Sequence, residues 1–577
     1  MKRSDKEKTM ARGGGFILEE TDIQDIFTPE DFTDEHREMA RTTERFALEE
    51  IGPINDRLEE KDFDLLLEKL RQCAGLGLMM IDAPEEYGGL NLDKAASMLV
   101  TEKLAWSRNF GLTYMAHTGI GMLPLIYYGT PQQKGRYLRK LMEAEIIGSY
   151  CLTEPGSGSD ALGARTVATL SEDGSHYLLT GTKQFITNSG FADLFTVFAK
   201  VDKKHFTAFL VERGTPGLSL GPEEKKMGMH GSSTRQVIFE AAPVPKENIL
   251  GEIGKGHKIA FNVLNVGRFK LGALCVGQAK FALAEGSRYA NERKQFGMPI
   301  GGFGAIQEKL ADATALTFAA ESAVYRLAGL IDGKLSELDS KAADYYALYQ
   351  KGIEEFAAEC AVVKVFCSEA AAQVISEMLQ VHGGYGYIAG HAIEQMYRDE
   401  RVQRIYEGTN EINRLLVATR LLRPEATPPS VAASVTWASS WSGQRQLLAG
   451  MKACCLLLGE RARQRCGGQL AKAQEILLAF ADMVIQVFAL ESAMLRAAKA
   501  CQKASAVKDE QYRAVALLCA FADRQRFLAS AERCAGFLEN EDLLPVIAAK
   551  TPLATGGLLA AKRLLAEATL QAEKYIF

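Results

Sequence analysis

Arg404-Ile405-Tyr406-Glu407-Gly408-Thr409-Asn410 places one carboxylate, Glu407, on a short turn between two stretches of helical pattern. Before it, residues 369–381 read as a helix with Ala372, Ile375 and Leu379 on one face. After it, Thr409 is the expected N-cap, and Ile412, Leu415, Leu416 and Leu422 form an apolar stripe at helical spacing. Gly408 permits a backbone conformation that a side chain resists, so the chain can turn while the carboxylate points into a cavity. A carboxylate held that way is a candidate general base. Position alone favours a solvated acid near a helix start, where the helix dipole suits it; the rest of the chain shifts that balance.

Working outward, helical texture runs from about residue 258 to residue 422, interrupted by Gly267, Gly272 and the run Gly383-Gly384-Tyr385-Gly386. Upstream, over residues 147–257, short β-branched and aromatic runs alternate with turn signals. Residues 177–180, 194–201, 207–211 and 236–239 are expected strands, and Glu172-Asp173-Gly174-Ser175 is a hairpin turn. Residues 31–146 are helical again, with Phe63, Leu66, Leu67 and Leu70 on one face. Residues 1–30 read as a frayed tail. Downstream, Arg423-Pro424-Glu425-Ala426-Thr427-Pro428-Pro429-Ser430 marks a linker over 423–431. An appended helical domain is expected over 432–577, with a stripe at Ile476, Phe480, Met483, Val487 and Leu490. The expected class is α+β, with separate helical and β domains.

A chain of 577 residues is too long for one core. A net charge of -5, a pI near 6.0 and dispersed basic residues exclude a nucleic-acid partner from the expectation. The eleven cysteines fall in no metal-ligand spacing, so no metal is expected, and reduced thiols in a bacterial-type cytoplasm are. No apolar run is read as long enough to span a membrane, and the start of the chain lacks a signal-peptide core.

Two segments of the β region stand out. Tyr150-Cys151-Leu152-Thr153-Glu154-Pro155-Gly156-Ser157-Gly158-Ser159-Asp160 leaves a strand for a Gly/Ser loop, whose amides suit a polar cofactor edge. Lys183-Gln184-Phe185-Ile186-Thr187-Asn188 sets an aromatic face beside a hydroxyl, able to pack on a flat ring and bond its edge. In the helical region, Arg293-Lys294-Gln295-Phe296-Gly297 closes one helix and Gln380-Val381-His382-Gly383-Gly384-Tyr385-Gly386 another. The last follows a helix rather than a strand and lacks the third glycine of a dinucleotide fingerprint.

Jointly, these segments and the Glu407 turn resemble the acyl-CoA dehydrogenase family over about residues 35–422. The appended domain and Phe261-Asn262-Val263-Leu264-Asn265-Val266-Gly267-Arg268-Phe269 are similar to its very-long-chain branch. The resemblance implies that family's fold, with a helical N-terminal domain, a barrel-like β domain and a helical bundle, and it implies FAD. Tyr150, Thr153, Ser159, Phe185, Ile186 and Thr187 match positions around the flavin, with Phe185 where many relatives carry Trp. Arg293, Phe296, Gln380 and Gly384 match residues that reach the FAD of a neighbouring subunit. Thr409 and Glu411 match a further cofactor contact. Ser159, Asn265, Arg268, Tyr406 and Gly408 match positions at the acyl-CoA.

Glu407 matches the catalytic base. Some branches carry the acid just before the arginine matched by Arg268, but this chain has Gly267 there. The resemblance implies that Glu407 takes the α-proton of a thioester, made acidic enough by hydrogen bonds from the flavin ribityl hydroxyl and the Glu407 amide, while the β-hydride goes to the flavin. A trans-2-enoyl-CoA would result, in fatty-acid β-oxidation, with electrons passing to an electron-transfer flavoprotein. An acyl-CoA oxidase and a scaffold that retains the fold are the alternatives. A homodimer is expected, with membrane association at most peripheral. Residues 109–118 are expected to line the acyl site, where Tyr114 and Met115 would shorten it if they point inward.

Overall fold

The computed structural model describes residues 12–342, 344–423 and 438–577. Apart from Arg423, the expected linker lies outside the described residues. The chain divides into two compact units: residues 32–321, 364–412 and 562–577 form one, and residues 12–31, 322–363 and 413–561 the other.

In the first unit, the β-branched and aromatic runs become eight strands of one mixed sheet: β1 (Gly148–Cys151), β2 (Val167–Leu170), β3 (His176–Thr187), β4 (Leu194–Val201), β5 (His205–Glu212), β6 (Leu218–Leu220), β7 (Thr234–Pro245) and β8 (Ile249–Leu250). Their order is β6-β7-β3-β2-β4-β5-β8, with β1 also beside β4. β4 runs parallel to β1 and β2 and antiparallel to β5. Nearly all of β4 is buried, which is why its apolar run lacks the alternation of a strand with one wet face. β3 and β7 pair antiparallel, but their register slips between Lys183 and Ile186. Such a bulge re-aims a side chain. Here it sets Phe185 at φ 58° and leaves it 62% exposed, while Gln184 and Ile186 stay buried.

The N-terminal helices of this unit include Asp34–Arg45, Phe63–Gly75, Lys94–Leu104, Asn109–Ala116 and Pro131–Met142. Asp62 caps the second by accepting from the Leu65 amide at 3.1 Å, and Leu66 and Leu70 are fully buried. Lys94–Leu104 packs on the long helix Gly256–Glu292, and there buried charges are matched. Asp82 accepts from both Lys94 at 2.5 Å and Lys270 at 2.7 Å, and Glu102 from Lys280 at 2.5 Å. Tyr114 is buried in the core, its hydroxyl donating to the Leu78 carbonyl at 2.6 Å.

The second unit is helical, built on Ser442–Cys466, Gln474–Cys501 and Ala506–Phe537. The expected stripe at Ile476, Phe480, Met483 and Val487 is buried in it. Contrary to expectation, two helices among the described residues are long and apolar enough to cross a membrane, Gly256–Glu292 and Gln474–Cys501. Buried inside the protein are 83% and 89% of their apolar windows, so this hydrophobicity is core packing.

Two further expectations are corrected at the ends of the chain. Residues 12–30, the described part of the expected tail, are not frayed: Gly15–Leu18 is a helical turn, Phe16 packs edge-on against Phe488 at 4.9 Å, and Glu30 accepts from Arg496 at 2.8 Å and from the Tyr512 hydroxyl at 3.0 Å. Neither does the appended domain keep its last residues. Lys562–Phe577 belongs to the first unit, where the Thr569 hydroxyl meets that of Thr314 at 3.0 Å and the Tyr575 hydroxyl donates to Glu321 at 2.6 Å.

Candidate active site

At the Glu407 turn the backbone is left-handed twice in succession, with φ 57° at Glu407 and 78° at Gly408. For glycine that is unstrained; for glutamate it is held only by its surroundings. Both carbonyls of the pair accept from a buried cation. Arg268 Nε donates to the Glu407 oxygen at 3.2 Å, and Lys364 Nζ donates to the Gly408 oxygen at 2.8 Å and to Asn410 Oδ1 at 2.6 Å. Arg268 is itself steadied by Asn265 Oδ1 at 2.9 Å. Thr409 is the N-cap expected of it, its hydroxyl accepting from the Ile412 amide at 3.2 Å. Gly267 supplies the space: a Cβ there would stand 2.7 Å from Glu407 Oε2.

Glu407 is half-buried as a residue, but its Oε2 is shut off from solvent. Burial pushes the carboxyl up to about 7, a rise that the positive charges of Arg268 and Lys364 only partly oppose. Two tyrosines feel that carboxylate: the Tyr150 and Tyr406 hydroxyls are held well above their ordinary range, first by burial, with the Glu407 charge adding to it. The Tyr406 hydroxyl is shut off from solvent with no hydrogen-bond partner among the described residues. The structure thus gathers Tyr150, Asn265, Arg268, Tyr406, Gly408 and Thr409 around Glu407.

The flavin-side expectations fall on neighbouring segments. Tyr150 lies on β1, its ring edge-on to Phe198 at 5.1 Å. Thr153 follows β1, and its carbonyl accepts from the Gln184 amide at 2.8 Å, which ties the loop to the β3 bulge. Phe185 therefore offers an exposed aromatic face, Ile186 next to it in the chain is buried, and the Thr187 carbonyl accepts from the Ser149 hydroxyl at 2.6 Å. These residues fit a flat ring with a polar edge, because a half-exposed phenyl on a bulged strand is otherwise an apolar surface left in water. Ser159, Glu411, Gln380 and Gly384 are exposed, as is Arg293, whose guanidinium lies 5.8 Å from the Tyr385 ring centre. Phe296, at φ 54° in the hairpin after Gly256–Glu292, is 94% exposed. Ser159, Arg293, Phe296, Gln380 and Gly384 lie on other segments of the chain, whereas Glu411 directly follows Asn410 of the turn.

Two residues of consequence escaped sequence reading. Lys183 is fully buried and pairs with Glu154 at 2.7 Å, and Glu154 also accepts from the Thr166 amide at 3.0 Å and hydroxyl at 2.6 Å. Burial works to raise that carboxyl, yet Lys183 and these donors hold it below its ordinary value. The pair fixes the loop after β1. Lys364 is the other, and only its depth in an apolar helix hinted that its charge must have a purpose.

Family models described as the acyl-CoA dehydrogenase N-terminal, middle and C-terminal domains match residues 33–145, 149–242 and 254–422, and another C-terminal domain model of that name matches 450–537. A probable acyl-CoA dehydrogenase of Bacillus subtilis is 45% identical over 521 residues, 88% of either chain. The chain belongs to the acyl-CoA dehydrogenase family. It is therefore grouped with flavin-dependent oxidoreductases, and its architecture is theirs: helical, β and helical domains with a further helical domain appended. The human very long-chain specific acyl-CoA dehydrogenase is 39% identical over 393 residues, which are 66% of this chain and 57% of that protein. Among solved structures, an acyl-CoA dehydrogenase from Bacillus anthracis complexed with FAD matches at TM-score 0.94 and 43% identity, covering 98% of this chain and all of that one.

Proposed function

We propose that the protein is an FAD-dependent dehydrogenase that converts a fatty acyl-CoA to its trans-2-enoyl-CoA in fatty-acid β-oxidation, and delivers the electrons to an electron-transfer flavoprotein. The observation that carries this is Glu407, an enclosed carboxylate on a left-handed turn whose proton affinity is raised to about 7. A base works best when its pKa lies near the operating pH, ionised often enough to act and basic enough to pull.

In this reading Glu407 removes the α-proton of the thioester, and that proton stays on its carboxylate. When bound, FAD supplies the two-electron acceptor for the hydride that leaves the β-carbon. Phe185, Ile186, Thr187 and Thr153 hold the ring side of the cofactor, while Arg293, Phe296, Gln380 and Gly384 serve the site of a second copy. The exposure of Phe296 and Tyr387, at 94% and 85%, supports a homodimer that covers them. Entry of the acyl chain expels water from the Glu407 turn and raises its basicity further.

The test is an anaerobic titration of purified protein with palmitoyl-CoA and shorter saturated acyl-CoAs, followed by the absorbance of the oxidised flavin, for wild type and Glu407→Gln. Bleaching in the wild type and none in the variant is the expected result, and the series ranks chain lengths. A yellow wild-type protein that no acyl-CoA bleaches would sink the proposal.

A further inference from the structure

Lys364 differs from three other buried lysines of its unit. Lys183, Lys270 and Lys280 each meet a carboxylate within 2.7 Å. Lys364, fully buried on the helix Ala357–His382, gives its hydrogen bonds to two neutral oxygens, the Gly408 carbonyl and Asn410 Oδ1. An ammonium taken out of water without a paired carboxylate is costly, and a core that needed only filling would hold an apolar side chain there. Asn410 is also turned deliberately: its Nδ2 donates to Ser368 Oγ at 3.2 Å and to Glu369 Oε1 at 2.9 Å, which leaves the amide oxygen for Lys364.

We propose that Lys364 is a positioning residue for the base, clamping the left-handed Glu407-Gly408 turn through the Gly408 carbonyl so that the Glu407 carboxylate stays aimed beside Gly267. Arg268 grips the preceding carbonyl, so the strained residue is held from both of the peptide units that follow it. The clamp also acts by charge. Facing Lys364 are Arg268 and Cys275 from the helix Gly256–Glu292, Glu369 from its own helix, and Glu407 from the turn. Burial pulls the ammonium down to about 8, with Cys275 and Glu407 working the other way. A charged Lys364 in turn favours the ionised form of Glu407.

The role assigned to Lys364 presumes that Glu407 is the base, so the test has one arm that needs no turnover. Thermal unfolding midpoints of the flavin-loaded protein are measured for wild type, Lys364→Met, Glu407→Gly and the double variant. Glycine at 407 removes both the strain and the carboxylate, so Lys364→Met is expected to lower the midpoint clearly less in that background than in the wild type. In the second arm, the pH dependence of flavin bleaching by an acyl-CoA is expected to move to higher pH in Lys364→Met, by on the order of one pH unit. Lys364→Arg, which keeps the charge, is expected to bring it back toward wild type. Additive midpoint losses together with an unmoved pH profile would overturn the assignment. Should Lys364→Met yield no folded protein, Lys364→Gln, which keeps a donor but no charge, replaces it in both arms with the same deciding results. A wild type that no acyl-CoA bleaches would count against the proposed function, and the thermal cycle would still decide on Lys364.

Discussion

Glu407 in one unit and Glu491 in the other are both glutamates with enclosed carboxylates, and each has two cations near it, yet their proton affinities move in opposite directions. At Glu491, burial works to raise the carboxyl, but Lys452 at 2.5 Å and Arg326 at 2.8 Å bond its oxygens directly and hold it below its ordinary value. At Glu407, the nearby cations bond the backbone instead, Arg268 to its carbonyl and Lys364 to that of Gly408, and burial prevails. The difference is where the cations are aimed, not how many there are. A buried acid whose oxygens are bonded by cations is a structural tie, whereas one whose cations hold the main chain keeps its basicity.

The largest effect expected from this contrast is kinetic. Glu407→Gln should lower the rate of flavin reduction by roughly 10²- to 10⁴-fold, the usual contribution of a general base, with folding retained in circular dichroism. Next comes the tie. Glu491→Gln leaves Lys452 and Arg326 buried without their carboxylate, and should cost about 3–5 kcal/mol in chemical denaturation. A loss below about 1 kcal/mol would erase the distinction between the two sites.

The same contrast has a pH signature. The folded-state pKa of Glu407 lies above its unfolded value, so the folded protein binds the extra proton between pH 4.5 and about 7, and its stability falls as pH rises through that window. Glu407→Gln, neutral throughout, should therefore be more stable than wild type at pH 8 by up to about 3 kcal/mol, and little different at pH 4.5. Glu491 has the opposite sign. Its folded-state pKa is depressed, so its contribution is present above pH 4.5 and is lost as pH falls. Denaturation midpoints of wild type and both glutamine variants from about pH 3 to pH 8 separate these slopes, that of Glu491 below pH 4.5 and that of Glu407 above it.

Which parts of this were legible in the sequence follows from how local each signal is. The N-cap at Thr409 was visible because it needs only a hydroxyl before an apolar stripe, and β4 because five of its eight residues are β-branched or aromatic. The helix expected at 369–381 is the second half of Ala357–His382. Its first half is buried almost all round and so presents no amphipathic face to detect, and Lys364 sits within that featureless stretch. Charge pairing across a fold leaves no period either: Lys183 meets Glu154 over 29 residues and Lys364 meets Gly408 over 44. The bulge that exposes Phe185 depends on β7, about fifty residues on, so the aromatic could be named but not its orientation. Residues 12–30 were misread because their anchors, Phe488, Arg496 and Tyr512, lie far along the chain.

The smallest effect tests the space around the base. In Gly267→Ala the new Cβ would stand 2.7 Å from Glu407 Oε2, and the atom it meets is the end of a flexible side chain, so the carboxylate moves rather than the helix. The helix itself gains, since alanine is favoured over glycine in a helix interior by roughly 1 kcal/mol. Rate and stability should therefore part company: flavin reduction slower by roughly 10²-fold, as for a reacting group displaced by about an ångström, with a thermal midpoint at or slightly above that of wild type. Substitution at Glu491 cannot produce that pattern, because its carboxylate serves the fold and has no rate to lose. A Gly267→Ala protein that reduces its flavin at the wild-type rate would mean that the carboxylate works from some position other than the one Gly267 leaves open, and the contrast between the two glutamates would then rest on their charges alone.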